Sequence, residues 1–418
     1  MHTIRKALLL IPVAAFDLPN GLESIYSPSE PFLFSRPALL YYLFVVLRLL
    51  STLLLLPIWT LLYALRIKRR PRASWSSPQC ALIDFNRRIA GLADIAGMRW
   101  GVRDPSIEPS PSEDLSETRF EWVEGLPWDA AVGVLCDNAV GPTDAVGCFV
   151  WESKSADSLE ELAEGFIGIY AHGGSYLHFS GHESCATSAI PRHLMKLGCF
   201  ESIYAVEYRL LPAPFPAALQ DVAAVFISLL QRGVPPDRII FIGDSTGGNI
   251  MLALARWIRD EGVLRQPAGM LLLSPWCDPS YSFPTSFEFF NPRPHPEDYL
   301  SDHPHARLHI VQAFLGPHRP HSLLRHPYIS PSAWPIPSGS VAKFPPVFMQ
   351  YGDAERLEEE IDRLVAALRR DEVALEVEKT VDGVHDLLIL PFWGSKVKEG
   401  IYRRIQEWLR ELHSSGKG

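Results

Sequence analysis

The sequence predicts an α/β fold: a mostly parallel central sheet with helices on both faces, a helical cap and an N-terminal transmembrane helix. Three observations predict it. From Arg119 onward, short β-branched or aromatic runs alternate with segments of helical periodicity. One junction, Ile239 to Ala255, passes from such a run through Gly243-Asp244-Ser245-Thr246-Gly247 into helix-forming residues. Near the other end, Ala38 to Leu65 is apolar or weakly polar except for Arg48. Strands that alternate with helices pair in parallel and are covered on both faces.

Composition narrows the class. A chain of 418 residues, 47% of them hydrophobic, can bury a large core. The net charge of -9 offers no general attraction for nucleic acid. Six scattered cysteines (Cys80, Cys136, Cys148, Cys185, Cys199 and Cys277) form neither a C-x-x-C pair nor a metal-finger spacing and read as free thiols.

The first 37 residues form an N-terminal segment. Arg5 and Lys6 precede an apolar run to Phe16 in the manner of a secretory signal, but no small-residue cleavage site follows, so no cleavage is expected. Residues 38–65 follow; as a helix they would extend roughly 42 Å, beyond the roughly 30 Å of a hydrocarbon core, and would span with tilt or bend at Pro57. Arg48 is costly at a bilayer centre and could instead mark the start of a shorter span, Leu49 to Leu65. Arg66, Lys68, Arg69, Arg70 and Arg72 follow the span against Arg36 before it, which by the positive-inside rule puts the bulk of the chain in the cytosol. Residues 66–118 are read as this basic segment, an amphipathic cap helix over Ala81 to Met98 (Leu82, Phe85, Ile89, Leu92, Ile95) and a polar linker from Arg103.

Residues 119–418 carry the remaining elements. Strands are expected at Phe120 to Val123, Val146 to Trp151, Phe166 to Ala171, Ile203 to Tyr208, Ile239 to Ile242, Met270 to Leu273 and Val347 to Tyr351, with helices at Ala217 to Leu230, Glu358 to Arg369 and Val397 to Leu412. In such sheets, reactive residues occupy loops at the carboxyl ends of strands.

The G-x-S-x-G spacing suits a nucleophile elbow, in which glycines two residues either side of Ser245 let the backbones pass. The helix after it aims unpaired N–H groups, including that of Thr246, at an anion formed beside Ser245. His172-Gly173-Gly174-Ser175, directly after a strand, offers backbone N–H groups close to a carbonyl oxygen. A general base and an acid should follow the serine. His385, in Asp382-Gly383-Val384-His385-Asp386, is the candidate base, and Asp353 and Glu355 are both candidate acids. His303, His305 and His309 match no common zinc spacing, so neither a metal nor another cofactor is expected.

Five ordered blocks carry a resemblance: His172 to Gly174, Tyr208 to Asp221, Gly243 to Asn249, Ser274-Pro275-Trp276, and His385. From Gly165 to Leu412 the sequence resembles the hormone-sensitive-lipase branch of the α/β-hydrolases, which includes bacterial carboxylesterases, arylacetamide deacetylases and fungal steryl-acetate hydrolases. The resemblance implies Ser245 as nucleophile, His385 as base, and oxyanion donors from Gly173, Gly174, Ser175 and Thr246. Counting along the acid motif selects Glu355, with Asp353 the alternative. The chain departs from the family at Ser175, usually a third glycine, and at Ala213, usually an acidic residue that supports a salt bridge. Residues 278–326, rich in Phe, Pro and His, are expected to form a lid with the cap helix. The implied function is a membrane-anchored serine esterase or deacetylase in the endoplasmic reticulum membrane, acting on a small lipophilic ester through an acyl-enzyme. The alternatives are acyl transfer by the same triad and a non-catalytic receptor on this scaffold.

Overall fold

Eight strands form a single sheet in the order β1-β2-β4-β3-β5-β6-β7-β8. The structure is a computed structural model that describes residues 38–110, 115–152, 165–280, 282, 297–300, 304–316 and 319–415. The signal-like start, Arg36, and much of the lid insertion lie outside the described residues, as do the side chains of His303, His305 and His309.

Helices α1 (Ala38–Ala64) and α2 (Ser77–Ala96) precede β1 (Thr118–Glu124), β2 (Ala145–Glu152) and β3 (Phe166–Ala171). Then come α3 (Ala189–Met195), β4 (Phe200–Glu207), α4 (Ala217–Gln231), β5 (Ile239–Asp244), α5 (Thr246–Glu261) and β6 (Gly269–Leu273). The chain ends with α6 (Pro304–Leu315), β7 (Val347–Gly352), α7 (Glu358–Arg370), β8 (Leu375–Thr380) and α8 (Ser395–Ser415). β2 runs antiparallel to β1 and β4, and every other pairing is parallel. The sheet is therefore mostly parallel, as expected.

Strand alternation divides the core in two. Phe241, Met270, Leu272 and Met349 pack with α4, α5 and α7 on one face. Ile240, Ile242, Leu271 and Phe348 pack with α3 and α8 on the other. β5, buried at every position, lies inside the sheet, which explains its continuous apolar run. β8, Leu-Glu-Val-Glu-Lys-Thr, went unread in the sequence because it is the edge strand, half-exposed and charged at alternate positions.

The N-terminal part departs from the expectation in detail. α1 runs through both Arg48 and Pro57 without ending, so Arg48 marks no helix start. It is long and apolar enough to cross a membrane. α2 begins four residues earlier than expected, with Ser76 capping Gln79 N–H. The linker is fixed at its end: Glu183 accepts hydrogen bonds from the backbone N–H groups of Ser116, Glu117 and Thr118 and from two hydroxyls. Those contacts hold its carboxyl at about 2, below the usual range, against the opposing effect of burial.

Candidate active site

Five strand ends, those of β3, β5, β6, β7 and β8, meet at one edge of the sheet. β5 delivers Ser245 on a turn whose shape is dictated by sterics. A Cβ on Gly247 would stand 1.8 Å from the Ala171 carbonyl oxygen, and one on Gly243 would stand 2.4 Å from the Gly247 carbonyl carbon. Ser245 itself adopts φ 49° and ψ -116°, a strained backbone that only its surroundings can hold. Ser245 N–H donates to Leu273 O at 2.9 Å, and Trp276 N–H donates to Ser245 O at 2.8 Å, so the end of β6 grips the turn. α5 starts at Thr246 and presents its first, unpaired N–H groups there.

The β3 loop lies against this turn. A Cβ on Gly173 would come within 3.0 Å of Ser245 Cβ and 2.5 Å of Asp244 Oδ2. Gly174 has φ 116°, and Ser175 has φ 57°. The third position thus keeps a left-handed backbone although it carries a side chain, at a cost of roughly 1–2 kcal/mol. His172 is a prop for this loop. Its Nδ1 donates to Gly173 O at 2.7 Å, its ring stacks on Tyr208 at 4.4 Å, and Tyr208 Oη donates to His172 O at 2.7 Å. Burial lowers its pKa to about 4, so it is neutral at ordinary pH.

β7 and β8 deliver the remaining groups. His385 Nε2 lies 3.1 Å from Ser245 Oγ. His385 Nδ1 lies 3.7 Å from Glu355 Oε1, within ion-pair reach but longer than a hydrogen bond, and among the described residues neither atom has another partner. The other Glu355 oxygen accepts from Ser274 Oγ at 2.7 Å and from Gly352 N–H at 3.0 Å. Asp353 turns elsewhere: its Oδ1 accepts from Asp382 N–H at 2.7 Å and lies 3.6 Å from Arg72 Nη1. Of the two carboxylates left open by the sequence, Glu355 faces the imidazole.

Sequence reasoning missed three groups. Asp386 Oδ2 stands 3.1 Å from His385 Nε2, the same nitrogen that faces Ser245. Burial pulls the His385 imidazolium down, but Asp386 and Glu355 more than reverse this and raise its pKa well above the usual histidine value. Burial raises Asp386 as well, against the pull of His385. Asp244, from the elbow, is raised well above the carboxylate range by burial and then by Asp386, although Tyr170 Oη donates to its Oδ1 at 2.6 Å. A second carboxylate beside the loop histidine was the available signal. Ser274 is the second group; it joins the acid to the base loop, since Asp386 N–H donates to its Oγ at 3.2 Å.

The third is Arg72. Its Nη2 donates to Asp353 O at 2.6 Å and its Nη1 lies 3.5 Å from Asp382 Oδ1. Ser74 Oγ donates to Asp382, and Trp75 Nε1 donates to Asp382 O at 3.0 Å. The segment between α1 and α2 therefore latches the loop of Glu355 to the loop of His385. No local pattern could have announced a contact across about 300 residues.

The cap and the described part of the insertion meet over the base. Arg87 of α2 donates to Asp298 O at 2.7 Å, Asp298 Oδ2 accepts from Arg356 N–H at 2.7 Å, and the Tyr299 ring lies 6.3 Å from that of His385. Tyr176, Phe215, Phe314 and Tyr328 line a small apolar pocket beside Asn249. Arg209 pairs with buried Asp221 at 2.8 Å. Among the described residues no cluster of His, Cys, Asp and Glu is arranged to hold a metal ion.

Residues 168–389, just over half of the chain, match the family model described as the alpha/beta hydrolase fold. An acetyl-hydrolase of Streptomyces hygroscopicus is 28% identical over 280 residues, covering 66% of this chain and 81% of that protein. A versiconal hemiacetal acetate esterase of Emericella nidulans is 33% identical over 116 residues, covering 28% and 39%. The crystal structure of the hormone-sensitive-lipase homologue EstE7 from a metagenome library superposes with a TM-score of 0.56 at 20% identity, covering 79% of this chain and 97% of that one. The chain belongs to the α/β-hydrolase fold family.

Proposed function

We propose that this protein is a serine-dependent carboxylic ester hydrolase that removes a short acyl group, such as acetyl, from a lipophilic alcohol. The observation that carries the reading is the 3.1 Å approach of His385 Nε2 to Ser245 Oγ at the start of a helix, with Glu355 behind the imidazole. Ser245 Oγ attacks the ester carbonyl carbon while His385 Nε2 takes its proton. The developing oxyanion is met by the N–H groups of Gly173 to Ser175 and Thr246, which need no rearrangement at the moment of reaction. As the intermediate collapses, the imidazolium protonates the departing alkoxide, leaving Ser245 acylated. Water, deprotonated by His385, then attacks the acyl carbon, and the imidazolium returns a proton to Ser245 Oγ as the carboxylic acid leaves. Glu355 stabilises the imidazolium in both halves.

The short acyl group is supported by the names of the acetyl-hydrolase and acetate esterase relatives. The lipophilic alcohol is supported by the apolar outward face of α1, which would hold the enzyme at a membrane. The test is turnover of p-nitrophenyl acetate together with labelling by a fluorophosphonate. We expect turnover and a single adduct in the native chain and neither in Ser245→Ala. Turnover that survives in Ser245→Ala would refute the proposal.

A further inference from the structure

Length and composition suit α1 to a transmembrane span, but its packing does not. One stripe of the helix is applied to α2 from end to end. Val45 packs with Leu92 and Ala96 at one end. At the other, Tyr63 Oη donates to Asp84 Oδ2 at 2.8 Å. In the middle, Arg88 Nε donates to Thr52 Oγ1 and its Nη2 to Ser51 Oγ, each at 2.8 Å. Residues 51 and 52 are the centre of Ala38–Ala64. An α1 set along the bilayer normal would therefore carry the Arg88 guanidinium to the hydrocarbon midplane, next to Arg48, and draw Asp84 and Arg87 in after it. Arg87 is in turn bonded to Asp298 of the catalytic module, so α2 cannot follow α1 into lipid without leaving its other contacts.

The opposite stripe is bare. Leu39, Leu43, Val46, Leu50, Leu54 and Leu61 are exposed by half or more, along a helix roughly 40 Å in length. Its chain end meets Arg66 and Arg69, both exposed. The other cations counted for orientation face inward: Lys68 binds Asp84, Arg70 binds Trp75 O and Ser77, and Arg72 binds the Asp353 and Asp382 loops. The charge asymmetry that set the expected orientation is thus largely engaged within the protein.

We propose that α1 lies flat in one leaflet of an anionic phospholipid membrane, an in-plane anchor backed by α2, and does not cross the bilayer. This rests on the membrane attachment proposed above and specifies its geometry. A leaflet accepts the apolar stripe to a depth of about 5–10 Å while headgroup phosphates meet Arg66 and Arg69. The attachment also sets the Arg72 latch, and with it the loops of Glu355 and His385, within a few residues of the lipid surface.

The test uses the full chain, with Cys136 and Cys185 replaced by serine. Single cysteines are introduced as Arg36→Cys, just before α1, and Arg69→Cys, just after it. In sealed membranes from expressing cells, a membrane-impermeant maleimide should label both or neither, and opening the vesicles with detergent should change both alike. Labelling of one flank alone until the vesicles are opened would overturn the proposal. Flotation gives a second reading. The native chain should float with vesicles of phosphatidylcholine and phosphatidylserine, and Leu50→Asp with Leu54→Asp should cut the floating fraction at least tenfold. A native chain that does not float, and elutes instead as a dimer sealed through this stripe, would also overturn it. Turnover of p-nitrophenyl acetate by the same doubly substituted chain judges the esterase reading separately.

Discussion

The nucleophile and its base are held in place by opposite means. Around Ser245 the structure is made by exclusion: Gly243, Gly247 and Gly173 sit where any Cβ would strike backbone or Ser245 itself, and two backbone hydrogen bonds fix the strained turn. Around His385 it is made by polar attraction, through Glu355, Asp386, Ser274 and the more distant Arg72 latch. Steric constraint is local and rigid, whereas attraction between charges depends on protonation and on segments far away in sequence. The serine side should therefore tolerate almost no change in shape, and the histidine side should respond in graded fashion to charge.

The largest effect on the polar side is expected at Glu355. Glu355→Gln should lower kcat by about 1,000- to 10,000-fold, as loss of the acid does in serine hydrolases. Asp353→Asn should cost only a few-fold, since its carboxylate faces Arg72 and Asp382. Steady-state kinetics on p-nitrophenyl acetate separates the two; equal losses would reverse their roles. On the steric side, Gly247→Ala places a methyl 1.8 Å from Ala171 O and should destabilise the fold by about 3 kcal/mol, read as a lower urea midpoint.

Smaller effects sharpen the contrast. Arg72→Ala removes a charged hydrogen-bond donor from the latch and should lower kcat about tenfold with little change in KM, while Arg72→Lys restores part of the loss. The smallest change is in pH dependence. Catalysis needs neutral His385, whose pKa is raised well above the usual value, so kcat/KM should climb with pH through a limb lying above that of an ordinary histidine, near 6.5. Asp386→Asn removes a carboxylate that holds the proton on His385, and the limb should move to lower pH. A limb that stays in place would deny Asp386 this influence.

What the sequence made legible follows the same division. The elbow, the Gly-Gly loop and the central strands were readable because glycine spacing and apolar runs are local signals of local constraints. Glu355 could be separated from Asp353 only through the resemblance, because neighbouring carboxylates look alike until the loop gives each a direction. β8 was missed because an edge strand with alternating charges lacks a buried strand's apolar run. Ser274 and Arg72 act through contacts between segments far apart in the chain, which no window of sequence contains, whereas Asp386 stands next to His385 and was passed over because adjacency alone does not say which ring nitrogen a carboxylate faces. α1 was legible as apolar, but its relation to α2 rests on Arg88 reaching Ser51 and Thr52.

The account turns on Ser245 and His385 working as one unit, and a double-mutant comparison of kcat/KM on p-nitrophenyl acetate tests this directly. If they do, Ser245→Ala and His385→Ala should each cost at least about 10,000-fold, and the chain carrying both should be no worse than either alone. Losses that multiply in the double variant, or a Ser245→Ala chain that still turns over, would contradict it.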